Sequence, residues 1–176
     1  MGLFDKIFHR PPKNSKFAPT MDGFMPIYTQ LGTNIYASDV VQQALKCIVD
    51  EMKKLNPVHV RYNGVDPVPV KSTVQDVLDE PNPLMTTSEF LEKTMYLLLM
   101  NYNAFIIPTY YTWVDEKTGV ERRYYESLYP IQPTQVDFIE DNSGRLFVKF
   151  YFWNGEQTTI LYDNVIHLRY NYSVNQ

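Results

Sequence analysis

The sequence predicts an α+β fold, with helices in its first half and an antiparallel β meander in its second half. Two segments, 38–55 and 86–100, repeat apolar residues at the three- and four-residue spacing of helices. After Asn103 the chain becomes aromatic and β-branched, and polar turns divide it into strand-length runs. Because no internal repeat is present, we expect one domain at residues 27–176, preceded by an arm or linker at residues 1–26.

The first 26 residues carry no helix or strand pattern of useful length. A short amphipathic stretch, Gly2–Phe8, is followed by residues 10–26, which hold four prolines and no clear periodicity. Its apolar run is too short for a secretory signal. The segment is either a frayed terminus or an arm that docks on a neighbouring subunit, and both readings stay open.

The helix predicted at Ser38–Leu55 begins with a capping residue, Ser38 or Asp39, and ends at Asn56-Pro57. Cys47 falls on its apolar side, so we expect a buried and inert thiol. The residues expected to face the core are Val41, Ala44, Leu45, Ile48, Met52 and Leu55.

A small hairpin and a short helix come next. Residues 58–62 alternate like a strand, Asn63-Gly64 is a turn signal, and a return through Val68 and Val70 completes the hairpin. Prolines on the return strand confine it to a sheet edge. A brief helix follows at residues 73–80, and its predicted buried side consists of Val74, Val77 and Leu78.

The second long helix, residues 86–100, has the spacing of a capping box at Thr86 and Glu89. Its later half is almost wholly apolar, so we expect burial on several sides. Strands are then predicted at residues 104–114, 124–128, 136–140, 146–153, 158–162 and 165–170, separated by turns at 115–119, 141–144 and 154–155.

Composition and charge exclude several classes of protein. The formal net charge is −4, which argues against a dedicated DNA-binding module. With a single cysteine the chain cannot form an internal disulfide, and a cysteine-based zinc site is not expected. Its longest apolar run is too short to span a bilayer. We expect an intracellular protein, or one assembled from an intracellular pool.

No catalytic constellation emerges from the residues. The sequence has no glycine-rich phosphate loop and no nucleophile elbow. His9, His59 and His167 lack the spacing of a metal-binding pair. A restriction-type nuclease requires an acid two residues before a strand lysine, but Phe147 precedes Lys149. We therefore predict no enzyme activity, no cofactor and no metal site, and we interpret residues 141–143 as turn formers.

Tyrosine is unusually frequent, with fourteen in the chain. Nine lie in the β half, and tyrosine suits half-buried sheet faces and protein interfaces. A platform for single-stranded nucleic acid also uses aromatic residues, but it normally adds a basic groove. Here only Arg122 and Arg123 accompany the aromatics as a pair. The composition favours core and protein interface.

The stretch from Leu78 to Ile107 resembles the central signature of tailed-bacteriophage portal proteins of the HK97-like family. In that family a Pro-Asn-Pro turn precedes a Thr-x-x-Glu-Phe helix, which ends at a Gly-Asn-Ala-Phe or Gly-Asn-Ala-Tyr strand start. The opening Met-Gly-Leu-Phe-Asp-Lys-Ile-Phe and the strand at residues 165–169 also match. One departure is Tyr102, which stands where the family usually has glycine. The signature residues carried over are Pro81, Asn82, Pro83, Glu89, Phe90, Asn103, Ala104, Phe105, His167, Leu168 and Arg169.

The resemblance implies a structural role. Portal proteins form a closed ring, typically of about twelve subunits, at one capsid vertex, where DNA is packaged and ejected through the channel without sequence specificity. It implies the major capsid protein, the terminase large subunit and head-completion adaptors as partners. The protein would belong to the virion and assemble in the host bacterial cytoplasm. Residues 27–176 would form most of the peripheral wing region of a longer chain. The alternative is a small α+β protein-binding module that uses a tyrosine-rich sheet face.

Overall fold

The structure, a computed structural model, describes residues 17–19 and 38–170, with side chains described in 38–170. The amphipathic stretch Gly2–Phe8 and His9 lie outside the described residues. The described helices are α1 (Asp39–Met52), α2 (Thr73–Asp79), α3 (Thr87–Asn101) and a 3₁₀ turn at Tyr162–Asn164. The strands are β1 (Phe17–Pro19), β2 (Val60–Asn63), β3 (Asp66–Pro69), β4 (Asn103–Val114), β5 (Glu121–Ile131), β6 (Gln135–Asp141), β7 (Leu146–Tyr151), β8 (Gln157–Leu161) and β9 (Ile166–Arg169).

These strands form three antiparallel sheets. One has four strands in the order β1-β6-β7-β8, one has three in the order β5-β4-β9, and the third is the β2–β3 hairpin. The predicted α+β class is confirmed, and β6 to β8 form the predicted meander. The final strand leaves that meander and pairs with β4 instead, so β4 lies at the centre of its sheet.

Strand β4 joins two hydrophobic clusters because successive residues of a strand face opposite sides. Phe105 and Ile107 point toward the four-stranded sheet and pack in one cluster with Phe138 and Phe150. Ile106 points the other way, into a cluster with residues of α2, α3 and β5: Val77, Phe90 and Leu128. The three-stranded sheet therefore lies between the four-stranded sheet and the helices, and α1 packs on the side of α3.

Helix α1 forms as predicted, and Val41, Leu45 and Met52 are half-buried as expected, but the other half of the predicted buried face is wrong. Val49 is the buried residue of the helix, while 48% of Ile48 and 53% of Leu55 remain exposed. Cys47 is exposed, which corrects the expectation of a buried thiol. Periodicity locates an apolar stripe on a helix, but it does not state that the stripe must face the same domain.

The other elements differ from the predictions mainly at their ends. The hairpin and its Asn63-Gly64 turn form, with Gly64 at φ +70°, and both of its strands are exposed along their whole length. In α2, Val77 is buried, but Val74 is 41% exposed, contrary to expectation. Strand β5 is longer than predicted because Glu121–Arg123 continue its pairing with β4.

The loop between β6 and β7 is a turn held by one carboxylate, as predicted. Asp141 Oδ1 accepts hydrogen bonds from the backbone amides of Ser143 (2.8 Å) and Arg145 (3.0 Å). The Arg145 guanidinium also lies 2.8 Å from Asp141 Oδ2. The hydrogen bond from the Arg145 backbone, which is the largest cause, lowers the pKa of Asp141. Both oxygens of this carboxylate therefore serve to hold the turn.

Candidate functional site

The Pro81-Asn82 loop attaches to the outer edge of β5. The Asn82 side chain donates from Nδ2 to the Leu128 carbonyl oxygen (2.8 Å), and the Leu128 amide donates to the Pro81 carbonyl oxygen (2.6 Å). Asn82 Oδ1 also accepts from the Leu84 amide at 2.9 Å. Pro81 and Asn82 are buried, while Pro83 is exposed. An edge strand has unpaired backbone groups, and here the loop satisfies both of those on Leu128.

The start of α3 is held by the predicted capping box. Glu89 Oε2 accepts from the Thr86 amide at 2.8 Å, and Thr86 Oγ1 accepts from the Glu89 amide at 3.3 Å. The hydrogen bond from the Thr86 backbone lowers the pKa of Glu89. The next residue, Phe90, is buried against Ile106 and Leu128. The cap therefore sets the helix start that places Phe90 on the sheet.

Tyr102 ends α3 in the left-handed conformation, with φ 55° and ψ 2°. This is the position that glycine occupies in the family signature, and glycine adopts such a φ without the Cβ penalty. Tyr102 instead stacks its ring on Tyr170, with centroids 6.0 Å apart and planes inclined by 18°. The departure from the signature keeps the backbone turn and adds an aromatic contact.

His167 joins β9 to the start of β4 through both ring nitrogens. Its Nε2 lies 2.8 Å from Asn103 Oδ1, and its Nδ1 lies 3.2 Å from the Tyr162 hydroxyl. Because an amide oxygen can only accept, we assign the proton to Nε2, and Nδ1 then accepts from Tyr162. The ring stacks on Phe105 with a centroid distance of 4.3 Å.

Burial of the imidazole, with a smaller contribution from the nearby Arg169 charge, lowers the pKa of His167 to about 4. The ring is therefore neutral at pH 7, which suits the tautomer that its two partners require. His167 is a positioned, neutral hydrogen-bonding group within the fold.

The signature residues thus hold three junctions around β4. Pro81 and Asn82 fix the loop to β5, Glu89 and Phe90 fix α3 to the sheet, and residues 103–105 with 167–168 fix β9 to β4. Asn103, Ala104 and Phe105 are buried, Leu168 is half-buried, and Glu89 and Arg169 are exposed. The structure brings together most of the residues that the signature singled out.

Sequence reasoning missed the shape of the β4–β5 hairpin. Its pairing runs to Val114 and Glu121, with a register shift between Thr109 and Tyr110. The tyrosines are interleaved across the strands: Tyr111 and Tyr124 stack at 5.2 Å. A shift in strand register does not change the amino-acid composition, so the position of this shift could not be predicted from the sequence.

The residues with described side chains, 38–170, were expected to hold no metal site. No three His, Cys, Asp or Glu side chains of this range gather closely enough to hold a metal ion. In the described part of the chain, no helix has both the length and the apolar character needed to cross a membrane.

Comparison with known families decides the class. The family model described as "Phage portal protein" matches residues 39–175, which is more than half of the chain. The chain belongs to the phage portal protein family. This match confirms the resemblance drawn from residues 78–107. Portal proteins are a structural family rather than an enzyme family. No curated protein matches the chain.

The portal chain is also similar to a solved structure, a chain in the "Neck of empty GTA particle computed with C6 symmetry". The TM-score is 0.60 at 13% identity, and the match covers 90% of this chain and 40% of that chain. At this identity the likeness shows a shared fold. Our chain spans less than half the length of that relative.

Proposed function

We propose that this chain is the wing portion of a portal subunit. About twelve copies of the subunit form a closed ring at one capsid vertex, and double-stranded DNA is packaged and ejected through the ring channel. The observation that carries this proposal is the portal family match across residues 39–175. A twelve-membered ring contains six-fold symmetry, so the symmetry named for the similar particle neck is compatible with this number.

The described fold favours a structural role over a catalytic one. Two of its buried polar residues, Asn82 and Asn103, pair with protein groups inside the domain. In our proposal the signature residues brace the wing, and neither a cofactor nor a metal takes part. The net charge of −4 suits a surface past which DNA slides without sequence-specific attachment.

The remaining assignments follow from this role. In this proposal residues 27–176 belong to the wing-like domain, and residues 1–26 are an arm or linker. The partners are the major capsid protein, the terminase large subunit and head-completion adaptors. The ring assembles in the host bacterial cytoplasm and becomes part of the virion. The strand β1, paired with β6 through Phe17↔Asp141, supports an arm that is attached partway along its length.

The experiment is negative-stain microscopy with native mass spectrometry on the product of the complete gene. A closed ring of about twelve copies is the expected result. A stable monomer at micromolar concentration would refute the ring, and it would favour the second candidate, a protein-binding module.

The second candidate rests on the exposed aromatic residues of the β4–β5 hairpin. Tyr111 is 53% exposed and Trp113 is 46% exposed, as is usual for residues that anchor protein interfaces. If the complete product stayed monomeric, the immobilised chain and a Tyr111→Ala, Trp113→Ala double variant would be compared for the protein that each retains. A partner that binds at this surface would be retained by the natural chain and lost from the variant.

A further inference from the structure

The outer part of the β4–β5 hairpin projects from the domain. Residues 103–108 of β4 are buried, whereas all residues from Tyr111 to Val114 are exposed. The residues of β5 that pair with this outer part, Glu121–Arg123, are exposed as well. We call residues 111–124 the ribbon. An isolated two-stranded ribbon is marginally stable in water, so the contacts that it makes decide how firmly it is held.

Inside the ribbon the two strands are well connected to each other. The rings of Tyr111 and Tyr124 stack across the strands, with centroids 5.2 Å apart and planes inclined by 11°. At the turn, Asp115 Oδ1 accepts hydrogen bonds from the backbone amides of Lys117 (2.9 Å) and Thr118 (3.1 Å). Because both the middle and the turn are tied in this way, we expect the ribbon to keep its strands paired.

The weak point of the hairpin lies at the base of the ribbon. The pairing of β4 with β5 shifts register between Thr109 and Tyr110. Strand β9, the other neighbour of β4, pairs with residues 103–106 and stops before this point. An irregularity of this kind interrupts the hydrogen-bond ladder and bends the strand. Beyond it, the described part of the chain gives β4 a single neighbouring strand, so the sheet itself resists bending little.

A side chain from outside the hairpin reaches this weak point. Asn164 belongs to the 3₁₀ turn Tyr162–Asn164, which directly follows β8 of the four-stranded sheet. Its Oδ1 accepts hydrogen bonds from the Tyr110 hydroxyl on β4 and from Nη1 of Arg123 on β5, each at 3.0 Å. One amide oxygen therefore holds both strands at the base of the ribbon.

The two donors also contact each other and their neighbours. The Arg123 guanidinium lies over the Tyr110 ring, 4.7 Å from its centroid, which is a favourable cation–π arrangement. The Tyr110 ring meets that of Tyr125 edge to face at 5.8 Å. Arg123 is exposed, so each of its contacts is weak when taken alone. Joined in one network around Asn164, these contacts favour one direction of the ribbon.

We propose that the ribbon is a hinged element that turns at the register shift between Thr109 and Tyr110, and that Asn164 holds it in one direction relative to the four-stranded sheet. Loss of the Asn164 acceptor lets the ribbon turn as a unit while its own strands stay paired. Since the ribbon carries the exposed Tyr111 and Trp113, Asn164 sets where these aromatic side chains point. The hinge is a property of the single chain and does not depend on the proposed ring.

A pair of spin labels measures the direction of the ribbon in the 176-residue chain. One label is attached to Lys117→Cys in the exposed turn, and the other to Gln157→Cys, which is exposed at the start of β8. Cys47→Ser removes the single natural thiol. Double electron–electron resonance then gives the distribution of distances between the labels.

With Asn164 present, we expect one narrow distribution. Asn164→Ala should widen it or add a second distance, and the population of turned ribbons should rise by roughly tenfold because two hydrogen bonds are lost together. Asn164→Asp is the matched variant that keeps an oxygen acceptor for both donors, and its charge strengthens the bond to Arg123. It should therefore keep the narrow distribution. Asp163→Ala alters the neighbouring exposed residue of the same turn and should change nothing.

Several results would overturn the proposal. An unchanged distribution in Asn164→Ala, or a broad one in the labelled chain with Asn164 in place, would show that Asn164 does not hold the ribbon. Equal widening in the alanine and aspartate variants would show that the acceptor oxygen is not the cause. If Asn164→Ala does not fold, Tyr110→Phe removes one donor and keeps the ring, and it should widen the distribution to a smaller extent; no widening would count against the hinge.

Hydrogen exchange separates turning of the ribbon from its unfolding. A hinge predicts that the backbone amides within the ribbon are protected equally in the natural chain and in Asn164→Ala. Loss of protection in the variant would mean that the two strands separate, which refutes movement of the ribbon as a unit.

Discussion

Replacing Asn82 with alanine tests the attachment of the signature loop to β5. The side chain is 7% exposed, and its Nδ2 group is the donor that reaches the buried Leu128 carbonyl oxygen. Removing it leaves that carbonyl without its side-chain donor, which costs roughly 1–3 kcal/mol, and loss of the bond to the Leu84 amide adds about 1 kcal/mol. We expect the free energy of unfolding to fall by about 2–4 kcal/mol.

The assay is urea denaturation of the 176-residue chain, followed by circular dichroism, with stability taken from linear extrapolation. Asn82→Asp is a second variant: its carboxylate can accept from the Leu84 amide but places an oxygen against the Leu128 carbonyl. It should destabilise at least as much as alanine does.

The matched control is Asn154→Ala, in an exposed turn where the side chain accepts from the Glu156 amide at 3.0 Å. We expect a loss below about 1 kcal/mol at this position. If Asn82→Ala cost no more than the control, the loop would not be held to β5 by its side chain, and the bracing role of the signature would be refuted.

Three further predictions concern His167, Tyr102 and Thr94. In the unfolded chain His167 takes up a proton below its ordinary pKa of 6.5, whereas in the folded chain it does so only near its pKa of about 4. Its contribution to the free energy of unfolding is therefore complete above pH 6.5. That free energy falls by about 2 kcal/mol from pH 7 to pH 5, and by about 3 kcal/mol in all. Urea titrations across this range should show the extra slope in the natural chain and not in His167→Gln, and equal slopes would contradict the buried neutral ring. At Tyr102 the positive φ should make Tyr102→Gly more stable than Tyr102→Ala by about 1 kcal/mol in the same assay; the reverse order, which holds inside helices, would show that the turn is not left-handed. The buried Thr94 hydroxyl has no hydrogen-bond partner among the described residues, so Thr94→Val should raise the free energy of unfolding by about 1 kcal/mol, and a clear loss of stability would reveal a partner.

The sequence predicted best what is decided locally. The capping box at Thr86 and Glu89 spans three residues, and both of its hydrogen bonds form. The hairpin turn at Asn63-Gly64 is likewise specified by the residues within it. The class of the fold and the family follow from such local signals placed in the right order.

The junctions that hold the fold together could not be predicted in the same way. Asn82 meets Leu128 across 46 residues, and Asn103 meets His167 across 64 residues. The family resemblance marked three of these four residues, but it did not state which would touch. The outward face of α1 was misjudged for a related reason, because periodicity reports an apolar surface and not the molecule that covers it.

The polar junction between β4 and β9 has a consequence for strand register. Side chains alternate between the two sheet faces, so a slip of β9 by two residues would leave its apolar pattern on the same side. Hydrophobic packing alone therefore discriminates weakly between such registers for a strand as short as Ile166–Arg169. The bond from His167 to Asn103 is lost in any slipped pairing, and the neutral imidazole would then be buried without its partner. The polar residues at this junction therefore favour a single register of β9 on β4. Because His167 is one of them, the stability of the junction falls in acid.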